Sequence, residues 1–159
     1  MTCSIRLSTK EDSSLILSFI KELAQYEKMA DRVTATVHSV EKTFFCKNPR
    51  VEALILEENG QPVGFAVFFQ NFSTFLCQYG IYIEDIYIKE AFRGKGYGKA
   101  LFQRICFEAV KRECGRVEWW CLDWNKPSID FYLKLGAEPM YDWTVFRLDQ
   151  ERIKAISAQ

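Results

Sequence analysis

The chain has 159 residues, of which 48% are apolar and 15% aromatic, which excludes disorder and suits one domain (residues 1–159) with a core that folds unaided. Lysine plus arginine equals aspartate plus glutamate at 21 each, and a net charge of zero argues against a protein built to grip a nucleic-acid backbone. No signal peptide and no apolar run of membrane-spanning length is read, so the chain is expected to be soluble and cytoplasmic, with no membrane partner.

In chain order, Ser4–Leu7 alternates as a short first strand. Ser8 and Thr9 offer helix caps, with Glu11 as capping-box partner of Ser8. Leu15, Ile16, Phe19, Ile20, Leu23 and Ala24 recur at helical spacing, which predicts an amphipathic helix from Glu11 to about Met29. Val40–Phe45 reads as a second, shorter helix. Val51–Glu58 and Pro62–Phe69 are strands joined through Asn59-Gly60, the strongest hairpin signal in the chain. Asn71–Tyr79 reads as a loop leading into an apolar strand, Ile81–Ile88, interrupted by Glu84 and Asp85.

After Arg93-Gly94-Lys95-Gly96-Tyr97-Gly98-Lys99 the spacing turns helical at Ala100, and that helix ends at Gly115 as a C-cap. Val117–Leu122, carrying Trp119, Trp120 and Cys121, is apolar enough to predict a central strand. Asn125 caps a helix that tolerates Pro127 in its first turn, bears Phe131, Tyr132 and Leu135, and stops at Gly136. Met140–Tyr141 and Thr144–Leu148 read as a final strand pair, and Glu151–Ala158 as a polar tail or helix. The sum is β-α-α-β-β-β-α-β-α-β-β, a mixed sheet with helices on both faces.

Six scattered cysteines without a CxxC pair point to reduced, mostly buried thiols. His38 is the one histidine, which excludes a histidine-rich zinc site; a surface loop ahead of the second helix is expected for it.

The strand, glycine-rich turn and helix around residues 81–101 form a standard phosphate cradle. Glycines let the backbone approach, and free N–H groups at a helix start point at the anion. A Walker A loop is absent, because Arg93 and Ala100 stand where it needs glycine and Ser or Thr. A dinucleotide fingerprint also fails, at Lys99 or Leu101. Arg-x-x-Gly-x-Gly, Arg93 to Gly98, does fit, and resembles the pyrophosphate loop of the GNAT N-acetyltransferases. Three further stretches narrow the resemblance: Ile20–Glu27, Tyr82-Ile83-Glu84-Asp85-Ile86-Tyr87, and Leu122-Asp123-Trp124-Asn125 through Tyr132. Each is similar to the diamine (spermidine/spermine) acetyltransferases, and the Ile-Glu-Asp-Ile-Tyr and Leu-Asp-Trp-Asn wording to their thialysine-acetylating branch. The likeness runs from about Ile5 to about Leu148. It departs at Ser18, where animal polyamine enzymes carry arginine, at Lys126, and along Gln70–Tyr79.

The resemblance implies an α/β (α+β) GNAT fold: one mixed, mostly antiparallel sheet that splays between its fourth and fifth strands. It implies acetyl-CoA as co-substrate, no metal, a small-molecule amine as acceptor, no nucleic acid, and a homodimer. Arg93, Gly94, Lys95, Gly96, Tyr97, Gly98 and Lys99 would take the pyrophosphate, with Ile86, Tyr87, Ile88 and Asn125 along the cofactor. Tyr132 matches the family's catalytic tyrosine; a phenol of pKa about 10 can protonate a thiolate whose thiol has pKa about 8.5. Glu84 is the candidate base, since a carboxylate within so apolar a strand is costly unless paired or useful. Tyr26, Glu27, Asp31, Glu84, Asp85 and Asp123 would suit a cationic acceptor. Two other readings stay open: an acetyltransferase for a protein or other small-molecule amine, and a non-catalytic acyl-CoA-binding module. An RNA-binding reading of Arg93–Tyr97 fails at Lys95, where an aromatic residue should stand.

Overall fold

The computed structural model describes residues 2–158. Strands β1 (Cys3–Leu7), β2 (Val51–Glu58), β3 (Gln61–Ser73), β4 (Gln78–Ile88) and β5 (Val117–Trp119) form one five-stranded sheet in that order. The first four are antiparallel neighbours, and β5 joins β4 in parallel. The chain divides into two compact units, Met1–Trp120 and Cys121–Gln159. The first holds the sheet with α1 (Ser13–Tyr26), α2 (Val37–Phe44) and α3 (Tyr97–Lys111); the second holds α4 (Lys126–Lys134) and α5 (Gln150–Ser157). Among the described residues no helix is long and apolar enough to cross a membrane.

Alternation along β2 sorts the core of the first unit. Ala53 and Ile55 join Phe65, Val67 and the α1–α2 residues Ile16, Phe19 and Val40 in one buried cluster, where Phe19 stacks on Phe65 at 5.1 Å. Their neighbours Leu54 and Leu56 are equally buried on the other face. Leu101, Ile105 and Ala109 of α3 are buried too, and Arg112 just past α3 lies over Phe68 at 5.5 Å. With both faces covered, β2 and β3 read as near-continuous apolar runs. Arg6 ties β1 to the entry of α1 through a bidentate pair with Asp12, at 2.7 and 2.9 Å.

Several boundaries differ from expectation for local reasons. Asp12, not Glu11, closes the capping box, accepting from the Thr9 N–H at 2.7 Å, and α1 begins at Ser13 after a 3-10 turn. It stops at Tyr26 because Lys28 turns to φ 60. Thr36 and Ser39 cap α2, so His38 lies on an exposed helical position and not in a loop. Helix α3 starts three residues early at Tyr97, and its end is marked by Glu113 at φ 53 ahead of Gly115.

Larger corrections concern pairing. Residues expected as a loop extend β3 and β4, with Asn71 paired to Gly80 and Phe72 to Tyr79. The ring contact between Phe72 and Tyr79 supports this polar stretch as a hairpin. Strand β5 ends the sheet order instead of sitting centrally. Its apolarity serves ring packing, Trp119 against Phe102 at 4.9 Å and Trp120 against Tyr82 at 5.8 Å. Neither segment of the expected final strand pair is a strand. Local turns take their backbone instead, Tyr141 N–H to Pro139 O and Trp143 N–H to Met140 O; alternation without a neighbouring backbone makes no ladder. All six cysteines are free as expected, but none is buried: Cys3, Cys46 and Cys77 are exposed and the others partly so.

Candidate active site

Strand β4 carries the candidate carboxylates Glu84 and Asp85, and a bulge sorts them. Val67 faces Asp85 and Phe68 faces Ile83, which leaves Glu84 as the extra residue on β4. The expected buried carboxylate is therefore not Glu84, which the bulge delivers to solvent. Its neighbour Asp85 is the partly buried one. Burial first, and then the charges of Glu84 and Glu27, push the Asp85 carboxyl up to about 7. Burial also raises the carboxyl of Glu27, the residue that caps the C-terminal end of α1. Glu27, Glu84 and Asp85 thus form one interacting acidic group, while Asp31 is exposed on a 3-10 turn. Among the described residues no group of three or more His, Cys, Asp or Glu could hold a metal ion.

Beside this group the sheet opens. Strand β5 pairs with β4 only from Ile81 to Ile83, so Glu84–Ile88 run on with β3 as their sole strand neighbour among the described residues. The expected splay is present, and it leaves the backbone of Ile86, Tyr87 and Ile88 free of β5.

The glycine loop follows at once. Gly94 (φ 77) and Gly96 (φ 85) occupy left-handed backbone where a Cβ would meet no neighbour within 4 Å, so conformation rather than space calls for glycine. Gly96 is the N-cap of α3, so the N–H groups of Tyr97, Gly98 and Lys99 belong to a first turn without intrahelical acceptors. A pyrophosphate suits that loop. The three cations are deployed differently from one another. Lys95 lies 3.0 Å from the Glu58 carboxylate at the end of β2, which also accepts from the Tyr97 hydroxyl. Lys99 is exposed. Arg93 turns back, donating through Nε to Ile88 O at 3.0 Å and stacking over Tyr26 at 4.5 Å and Tyr87 at 5.7 Å.

Arg93 thereby lines a cavity of about 300 Å³ with Glu22, Gln25, Tyr26, Tyr87 and Glu90. Burial, reinforced by Glu22, holds the Tyr87 hydroxyl above its ordinary pKa and so protonated. Sequence reasoning passed over Glu22 and Glu58; surface-type glutamates at the end of a helix turn or a strand carry no local signal.

In the second unit, Asn125 caps α4 by accepting from the Ser128 N–H at 3.4 Å. Tyr132 stands in the second turn of that helix, partly buried, with its ring 5.3 Å from that of Phe131. Lys126 opens the helix, and Asp123 is exposed ahead of it.

Residues 19–137 match the acetyltransferase (GNAT) family model. The chain is 30% identical over 201 residues to an L-ornithine N5-acetyltransferase of Arabidopsis thaliana, covering 98% of this chain and 88% of that protein. It is 31% identical over 166 residues to the thialysine N-epsilon-acetyltransferase of Bos taurus, covering 98% and 97%. Among solved structures, an integron cassette protein from the mobile metagenome of V. cholerae superposes with a TM-score of 0.82 at 22% identity, covering 100% of this chain and 99% of that one.

Proposed function

The chain belongs to the acetyltransferase (GNAT) family, a family of N-acetyltransferases, and from that premise we propose that it transfers acetyl from acetyl-CoA to a primary amine of a small diamine, polyamine or thialysine-like amino acid. One observation carries the cofactor half: β4 parts from β5 after Ile83 and leads directly into a left-handed glycine loop at the start of α3. Acetyl-CoA, when bound, supplies a thioester-activated acetyl group. Gly94–Lys99 would hold its pyrophosphate, and backbone groups around Ile86–Ile88 would bind its arm and polarise the carbonyl.

The acceptor half rests on charge. Glu27, Glu84 and Asp85 hold an ammonium-bearing molecule, with Tyr26 beside Glu27 in the chain. The relatives, by name, act on ornithine and thialysine, which supports an acceptor with more than one amine. An ammonium of pKa near ~10 must lose its proton before attack. Glu84 receives it at the solvent-facing bulge, with Asp85 beside it as the carboxyl whose proton affinity suits neutral pH. Tyr132 donates a proton to the departing thiolate, and Asn125 contributes to the cofactor site.

Tyr132→Phe tests the assignment. It is expected to lower kcat by roughly 10²- to 10⁴-fold, the range typical of a lost general acid, while acetyl-CoA still binds. A variant that keeps full turnover would remove Tyr132 from the mechanism.

A further inference from the structure

Glu58 stands outside every assignment above, yet it is the acid that two residues of the glycine loop hold. Its side chain is only 10% exposed, and it ends β2 directly before the Asn59-Gly60 turn. Lys95 Nζ donates to Oε1 at 3.0 Å and approaches Oε2 at 3.4 Å. The Tyr97 hydroxyl, from the first residue of α3, donates to Oε1 as well. These bonds keep the Glu58 carboxyl below its ordinary range, with Tyr97 the larger cause and Lys95 the next, and push the Tyr97 phenol up to about 12. At neutral pH Glu58 is therefore a carboxylate and Tyr97 a phenol. Lys95 Nζ also sits over the Phe92 ring, 4.9 Å from its centre.

The two bonds have different consequences. Tyr97 to Glu58 is neutral to charged and fixes the first turn of α3 to the sheet, the turn whose N–H groups lack intrahelical acceptors. Lys95 to Glu58 is charge to charge, and it neutralises a cation of the loop before any phosphate arrives. A phosphate drawing on Lys95 must compete with a carboxylate already paired to it.

We propose that Glu58 is a positioning residue that stands in for the phosphate: it anchors α3 through Tyr97 and occupies Lys95 until the cofactor's pyrophosphate displaces it. This rests on the reading of Gly94–Lys99 as a coenzyme A pyrophosphate loop. It implies that cofactor affinity is restrained by an internal exchange, Lys95 passing from Glu58 to phosphate and back. Such a restraint favours release of the product coenzyme A, since the carboxylate reclaims the ammonium as the phosphates leave.

Glu58→Gln separates the two roles. The amide oxygen can still accept the Tyr97 hydroxyl, but the charge facing Lys95 is gone. Titration calorimetry with coenzyme A and with pantetheine, which lacks phosphates, at low and high salt, reads the result. Expected is a two- to fivefold tighter binding of coenzyme A, on the order of one exposed ion pair. The gain shrinks at high salt and is absent with pantetheine. In the Lys95→Gln background the Glu58 change has no effect. Lys95→Gln alone weakens coenzyme A and leaves pantetheine unchanged, a result that does not depend on the Glu58 variant folding. Equal or weaker binding of coenzyme A by folded Glu58→Gln overturns the proposal, as does a gain that persists without Lys95 or appears with pantetheine. A wild-type chain that binds no coenzyme A at all overturns the cofactor reading itself.

Discussion

Asp85 makes the chain respond to pH in two ways. Its folded pKa of about 7 lies above the unfolded value of about 3.9. Between those values the native state binds more protons than the unfolded one, so stability falls as pH rises from about 4 to about 7. Above pH 7 the whole cost of the buried charge is present. Asp85→Asn is therefore expected to raise Tm at pH 8 relative to wild type, with the gain vanishing by about pH 4. In kinetics the same group gives a rise of kcat/KM with pH through about 7, and the variant loses that limb. Equal melting temperatures at pH 8 would contradict the burial argument. The sequence reading located this pair of acids from the apolar run around it, but singled out Glu84, whereas Asp85 is the one partly buried. A bulge adds one residue, and a one-residue slip exchanges the faces of a strand. Nothing in Ile83-Glu84-Asp85-Ile86 announces the slip, because its cause lies in the pairing with Val67 and Phe68.

At the scale of elements, β3 and β4 must approach closely at the end of β4. Gly64 faces Ile88, and a Cβ there would lie 2.8 Å from the Tyr87 carbonyl oxygen and 2.4 Å from Ile88 Cδ1. The side-chain tip can move, but the carbonyl belongs to the strand. Gly64→Ala is expected to destabilise by about 1–3 kcal/mol, the range for overpacking a close-packed interior, read as a lower urea midpoint with unchanged m-value. An unchanged midpoint would show that β4 yields freely there. Elements set by local signals were legible: the Asn59-Gly60 hairpin, the Asn125 cap and the α1 face all lie where spacing and turn chemistry indicate. Elements set by partners were not. The hairpin extension through Asn71–Gln78 and the absence of strands after Met140 depend on which backbone lies alongside, and no residue pattern states that.

Across the whole molecule, the order of the first nine helices and strands follows from the sequence, while the sheet has five strands where seven were expected, and the family match extends from residue 19 to residue 137. The glycine loop was legible because its chemistry is local: Gly94 and Gly96 adopt backbone that other residues avoid. Its wiring was not, since Lys95 and Arg93 find partners 37 residues away in Glu58 and on the α1 residue Tyr26. The proposed acceptor belongs to this largest scale, because it would depend on the charge that the end of α1 and β4 present together through Glu27, Glu84 and Asp85.

The most direct test of acetyl transfer incubates the purified chain with acetyl-CoA and, in turn, putrescine, spermidine, spermine, thialysine, ornithine, lysine and a lysine peptide. The acceptor is then identified by mass spectrometry. Expected is a single acetyl group on a primary amine of at least one small diamine, polyamine or diamino acid, matched by an equal amount of free thiol. Coenzyme A binding without any acetylated amine would contradict the enzyme reading and leave a cofactor-binding module in its place.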